Sequence, residues 1–383
     1  MDNFAFENKT VVHFGRGCVG ENLPALLNGY GKNVLLAYGG GSIKKNGVYD
    51  EVTDILAAAG KTVTEFSGIM PNPTYVKVQE GAALARENDI DLILAVGGGS
   101  VSDCCKAVSA QAKLDRDLWE FENIEHGVPT EFVPLVIIVT VFGTGSEMNA
   151  GGVITNEDLK IKGPLWGAQA DTAFLDPEYA MSVPFGQVIS GAFDTLSHAM
   201  ETYFDTCDHN LSDDIGLALM RSVVRNIRVL IAQQQNYEAR SELAWASAMA
   251  ENGILKIGKL TGFECHMTEH QLGAYTDCNH GAGLAVIHPH LYRHIYQGAP
   301  ERFARFAREV WGVNEADDEA AALAGIDALS AFIKEIGLPT TFAELGIPAD
   351  TDLRAVADST VILPGIPKQL DADEIHEILL ECK

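Results

Sequence analysis

The sequence predicts an N-terminal α/β domain built on a parallel sheet, followed by an all-helical domain. Three observations carry this. Short apolar runs alternate with helical patterns through the first half of the 383-residue chain. Several of those runs end in glycine-rich turns. From about Pro184 onward, strand patterns give way to long helical ones. The boundary is placed near residue 183, giving domains 1–183 and 184–383, a number of domains that fits the length.

The predicted strands are Val34–Tyr38, Thr62–Phe66, Leu92–Val96 and Leu135–Thr140, each bounded by Gly, Pro or Asn. Helical patterns such as Gly47–Ala59 and Tyr75–Glu87 lie between them. Strand–helix alternation implies right-handed crossovers and a parallel sheet covered on both faces. Val153–Lys162 and Ala173–Asp176 read as two further strands. Predicted helices in the second half are Phe185–Tyr203, Ser212–Gln234, Tyr237–Ile257, Ala299–Val310 and Asp318–Ile336.

Charge excludes some functions. With 53 acidic residues against 27 Lys and Arg, the formal net charge is −26. Such a surface repels nucleic acid and anionic membranes, so neither is an expected partner. Seven cysteines, an odd number without CxxC spacing, fit free thiols in a reducing compartment. The start MDNFAFENKT lacks the pattern of a signal peptide, and no run of 18 apolar residues occurs. A cytoplasmic location is expected.

Three glycine-rich turns follow predicted strands: Gly39-Gly40-Gly41-Ser42, Gly97-Gly98-Gly99-Ser100 and Gly143-Thr144-Gly145-Ser146. Glycine lets backbone N–H groups approach a phosphate, and Ser or Thr hydroxyls add donors. One such turn is commonly just a tight turn. Three at strand ends of one domain point to a dinucleotide lying across them. None is a GxGxxG followed by an acid about twenty residues on. After Tyr38 no acid occurs until Asp50; Ser42, Lys44 and Lys45 stand there instead. That favours NADP(H) over NAD(H), although both lysines would also suit a solvated helix.

Asp194 and His198 stand four apart in GAFDTLSHAMETYF, and His266 and His270 repeat the spacing in CHMTEH. Spacing i, i+4 puts both members of a pair on one helix face. His280 follows in NHGAGLA. Three histidines with one aspartate suit Fe²⁺ or Zn²⁺ better than Mg²⁺. Spacing alone leaves hydrogen-bonded or capping histidines as an equal reading. Glu201 and Glu269 are alternative carboxylates for such a site, with solvated helix faces as the plainer reading of both.

Segments spread over most of the length then resemble the iron-containing alcohol dehydrogenase family, in its NADPH-dependent butanol dehydrogenase branch. They include FGRG at Phe14–Gly17, YGGGSIKKNGVYDEV at Tyr38–Val52, PNP at Pro71–Pro73, GGGSVSDCCK at Gly97–Lys106 and GTGSEMN at Gly143–Asn149. VITNEDLKIK at Val153–Lys162, GAFDTLSHAMETYF at Gly191–Phe204 and CHMTEH…NHGAGLA at Cys265–Ala285 complete the set. The order of these segments is highly specific; PNP alone is not.

The resemblance implies a dehydroquinate synthase-like fold: an α/β dinucleotide-binding domain plus an all-α metal-binding domain, with the site in the cleft. It implies metal ligands at Asp194, His198, His266 and His280, and a proton relay at His270. On the cofactor side it implies Gly39, Gly40, Gly41, Ser42, Asn72, Gly98, Gly99, Ser100, Ser102, Asp103, Thr140, Thr144 and Lys162. The expected chemistry is reversible reduction of small aldehydes to primary alcohols with NADP(H) and Fe²⁺ or Zn²⁺. A homodimer is the expected assembly, with Thr10–Phe14 available for edge pairing. Departures from the family pattern are Val141-Phe142 before GTGSE, Phe263-Glu264-Cys265 before His266, and Cys278 before His280. A phosphate-eliminating lyase of the same architecture would need a basic pocket, which CHMTEH lacks. A glycerol dehydrogenase would have fewer histidines. A metallohydrolase or a non-catalytic metal protein would leave the glycine turns unexplained.

Overall fold

A computed structural model describes residues 3–205 and 209–383. The predicted free thiol Cys207 lies outside the described residues. The chain divides into two compact units, Glu7–Val183 and Pro184–Lys383, the latter joined by the first few residues up to Phe6.

The first unit holds eight strands: β1 (Val11–Phe14), β2 (Asn33–Tyr38), β3 (Thr62–Phe66), β4 (Leu92–Gly97), β5 (Leu135–Val139), β6 (Gly151–Asn156), β7 (Ile161–Trp166) and β8 (Thr172–Leu175). Six form one parallel sheet in the order β1-β8-β5-β4-β2-β3. β4 and β5 are buried throughout, as their unbroken apolar runs require of strands covered on both faces. Each fully buried Leu, Ile or Val there contributes about 1.5–3 kcal/mol.

Because β5, β4 and β2 are parallel neighbours, their carboxyl ends share one edge of the sheet. The three glycine-rich turns follow those ends. The predicted single strand Val153–Lys162 is instead an antiparallel hairpin of β6 and β7. Asn156 breaks the run by accepting the Leu159 N–H on its Oδ1 at 3.2 Å, and Lys160 turns the chain at φ 54°.

The second unit is helical, with long helices at Phe185–Tyr203, Leu211–Ala232, Tyr237–Glu251, Glu264–Thr276, His280–Ile295 and Asp318–Glu335. Tyr237–Ile257 is not one helix. It stops at Glu251, Gly253 takes φ 91°, and the chain tightens into a 3₁₀ turn at Ile254–Lys256. Ala299–Val310 is α-helical over Pro300–Phe306 and widens into a π turn over Ala307–Trp311. Phe204, where the first helix ends, stacks on Phe303 at 4.0 Å and meets Phe306 and Tyr292 edge-on. This aromatic cluster anchors the helix that carries Asp194 and His198. No helix among the described residues is long and apolar enough to cross a membrane.

Candidate metal centre and cofactor loops

Three helices bring the predicted ligands together. Asp194 and His198 project from Phe185–Tyr203, His266 and His270 from Glu264–Thr276, and His280 opens His280–Ile295. The third helix starts where it does because Asn279 caps it, accepting the Ala282 N–H at 3.0 Å. It also approaches the first helix closely. A Cβ on Gly281 would stand 2.2 Å from the Ser190 carbonyl oxygen.

Asp194 Oδ1 then lies 3.3 Å from His266 Nε2, 3.5 Å from His280 Nε2 and 3.8 Å from His198 Nδ1. The His198 and His266 rings stack at 4.5 Å. Asp194, His198, His266 and His270 are buried and His280 is half-buried. His270 faces the His280 ring at 5.4 Å.

Glu201 and Glu269 are buried, contrary to the reading of solvated faces. Helical periodicity marks them as polar positions, but their side chains serve the histidines. Glu201 Oε2 pairs with His266 Nδ1, and Glu269 Oε2 with His280 Nδ1. Glu201 also accepts the backbone N–H groups of Cys265 at 2.7 Å and His266 at 3.2 Å. Those two contacts satisfy donors in the first turn of the helix. Gly283 leaves room for Glu269, whose Cγ would lie 2.9 Å from an added Cβ.

The electrostatics follow. Burial alone would push the Asp194 carboxyl up, but His198, His280 and His266 outweigh it and hold it well below the usual carboxylate range. Burial would lower His266; Glu201 and Asp194 instead raise it to about 10. His198 is shifted down, chiefly by burial.

This donor set fits a divalent metal. One carboxylate oxygen and three imidazole nitrogens converge, and His198 Nδ1 is buried without a hydrogen-bond partner. Carboxylates on the Nδ1 atoms of His266 and His280 turn both Nε2 atoms toward Asp194, the outer arrangement typical of metal-bound histidine. Three buried carboxylates within one cluster call for a cation. Sequence reasoning also missed Glu251 and Lys256, paired at 3.0 Å, with Lys256 Nζ 4.6 Å above the Phe263 ring that borders His198 and His266.

The cofactor-side residues all lie in the first unit. The second and third turns pack closely: a Cβ on Gly99 would meet Thr144 Oγ1 at 2.5 Å, and one on Gly98 would meet Val141 Cβ at 3.0 Å. Thr140 donates its N–H to the Gly97 carbonyl at 2.9 Å, which joins the same two strand ends. Gly98 precedes the helix Gly99–Gln111, whose first turn holds Ser100 and Ser102; Ser102 Oγ donates to the Gly98 carbonyl at 3.3 Å. Asp103 accepts Ser146 Oγ on one oxygen and the Val153 N–H, at 3.0 Å, on the other. Asn72, at φ 52°, accepts Lys162 Nζ at 2.9 Å.

At the first turn, Gly41 takes φ 96° before the short helix Ser42–Lys45. Glu65, near the end of β3, was not anticipated there. It accepts the Tyr38 hydroxyl, accepts the Tyr49 hydroxyl at 2.7 Å and pairs with Lys44 at 3.4 Å. Lys44 and Lys45 are both exposed, and Lys44 is engaged by Glu65.

An α/β unit with glycine turns along one sheet edge, and a helical unit with a His₃Asp cluster, define a metal-dependent, nicotinamide-linked oxidoreductase class. The family described as iron-containing alcohol dehydrogenase matches residues 9–177, and the C-terminal part of that family matches residues 188–382. The chain belongs to the iron-containing alcohol dehydrogenase family. It is 40% identical to a probable NADH-dependent butanol dehydrogenase 1 of Bacillus subtilis, covering 99% of each chain. It is 31% identical to the NADPH-dependent aldehyde reductase YqhD of Escherichia coli, over 100% of this chain and 97% of the relative. Among solved structures, NADH-dependent butanol dehydrogenase A of Thermotoga maritima superposes with a TM-score of 0.94 at 35% identity, covering 100% and 99% of the two chains.

Proposed function

We propose that the protein is a metal-dependent, NADP(H)-linked alcohol dehydrogenase that interconverts small aldehydes and primary alcohols. The observation that carries this reading is the convergence of Asp194 with His198, His266 and His280, two of them backed by buried carboxylates. When bound, Fe²⁺ or Zn²⁺ supplies Lewis-acid polarisation of a carbonyl oxygen, and NADP(H) supplies the hydride.

Asp194, His198, His266 and His280 would hold the metal, and Glu201 and Glu269 fix the tautomer and direction of His266 and His280. His270, buried beside His280, handles the proton that the product oxygen takes up on reduction. The turns Gly39–Ser42 and Gly98–Ser100, with Thr140 and Thr144, offer N–H and hydroxyl donors to the dinucleotide. Ser102 and Asp103 brace those turns, and Asn72 positions Lys162. The free thiols fit a reducing cytoplasm. Val11 is exposed on the edge strand β1, which fits assembly as a homodimer.

Ser42 and Lys44 beside the first turn support NADP(H). A second reading, NADH, is favoured by Glu65 at that turn and by the names of the butanol dehydrogenase relatives. The test is loss of nicotinamide absorbance with butyraldehyde on enzyme reloaded with Fe²⁺ or Zn²⁺, with NADPH and NADH run in parallel. Turnover that favours NADPH supports the reading. Turnover that favours NADH selects the second, and no turnover with either overturns both.

A further inference from the structure

Glu65 occupies a telling place in the sheet. β2 and β3 are parallel neighbours joined through the helix Val48–Ala58, with Leu36 opposite Glu65 in register. The glycine turn follows β2, and Glu65 is the penultimate residue of β3. In nucleotide-binding βαβ units, an acid at the end of the second strand, about twenty residues past the glycine turn, hydrogen-bonds the adenosine ribose and selects against a 2′-phosphate. Glu65 does not keep that motif's spacing, lying 24 residues past Gly41, but it reaches the same turn from the neighbouring strand through Tyr38 and Lys44. The chain leaving β3 is also tied to the turn: Gly68 donates its N–H to the Gly39 carbonyl at 3.1 Å, and Ile69 to the Tyr38 carbonyl at 3.3 Å.

Unlike a free ribose-binding acid, Glu65 is already partnered. Tyr38 and Tyr49 donate their hydroxyls to it, and Lys44 pairs with it while lying 4.9 Å and 4.3 Å from the two tyrosine ring centroids. These hydroxyls, Tyr38 first, hold the carboxyl below its ordinary range, so it is anionic at neutral pH. Glu65 and Lys44 remain exposed and within reach of a ligand at the turn. A carboxylate there repels a 2′-phosphate and accepts from ribose hydroxyls, and Lys44 does the opposite.

We infer that Glu65 is a specificity-determining residue for the adenosine-ribose end of the cofactor, and that Lys44 opposes it, so that this pair sets the preference between NADPH and NADH. The inference rests on the proposed use of a nicotinamide cofactor at the first glycine turn. It does not depend on which of the two the native enzyme prefers.

The test is direct binding, by fluorescence or calorimetric titration of metal-loaded enzyme with NADPH, NADH, 2′,5′-ADP and 5′-AMP. Glu65→Gln is expected to raise the affinity for NADPH relative to NADH by about tenfold, and to move the 2′,5′-ADP to 5′-AMP ratio the same way. Lys44→Met is expected to move both ratios several-fold in the opposite direction. A merely structural role for Glu65 would weaken all four ligands together and leave both ratios still. If Glu65→Gln does not fold, Lys44→Met carries the test alone. Ratios unchanged within twofold in folded variants overturn the inference. Wild-type enzyme that binds NADH better than NADPH would overturn the NADP(H) reading while leaving the ratio shifts, and hence this inference, intact.

Discussion

Glu201 grips His266 twice: its carboxylate pairs with the ring Nδ1 and accepts the residue's own backbone N–H at 3.2 Å. The ring is therefore fixed with Nε2 toward Asp194, 3.3 Å away. Asp194 and Glu201 stand seven positions apart on one helix, so the proposed ligand and the residue that orients His266 share one rigid element.

Glu201→Gln keeps the size of the side chain but removes its charge. It is expected to weaken metal affinity about 10–100-fold. Competition with a chelator of known affinity measures this. Equal metal retention in variant and wild type would show that Glu201 does not support the centre.

His270→Ala is expected to retain the metal while kcat falls about 100-fold or more, with little change in KM. Metal content and steady-state kinetics on the same preparation decide it. Full kcat in the variant would remove His270 from the proton path.

Glu147, just past the third glycine turn, is buried, and its Oε1 makes no hydrogen bond. Burial pushes its carboxyl up to about 7. The folded protein thus binds this proton more tightly than the unfolded chain does. Stability is lost as pH rises from about 4.5 to about 7 and is level above. At 1.36 kcal/mol per pKa unit the loss is about 3 kcal/mol at most. Glu147→Gln is expected to raise thermal stability at pH 8 and to change it little at pH 5. An equal effect at both pH values would contradict the assignment.

Much of this was legible in the sequence. Apolar runs ending in glycine mark β2, β4 and β5, because buried parallel strands leave few other patterns open. The i, i+4 spacing of Asp194 with His198 placed both on one face. What spacing could not reveal was depth. Glu201 and Glu269 look like surface residues in a helical pattern, and only the packing of three helices shows them buried against histidines. Glu65 is not legible at the first turn because it stands far from Tyr38 along the chain and meets it only through the pairing of β3 with β2. The hairpin of β6 and β7 reads in sequence as one strand because the turn at Asn156–Lys160 lacks glycine and proline.

The most direct test of the central claim is metal content after stripping and reloading with Fe²⁺ or Zn²⁺, measured on wild type, Asp194→Ala and His280→Ala, alongside butyraldehyde turnover. The account predicts about one metal per chain and restored turnover in the wild type, with both lost in each variant while the protein stays folded. Full metal content and turnover in Asp194→Ala would contradict it.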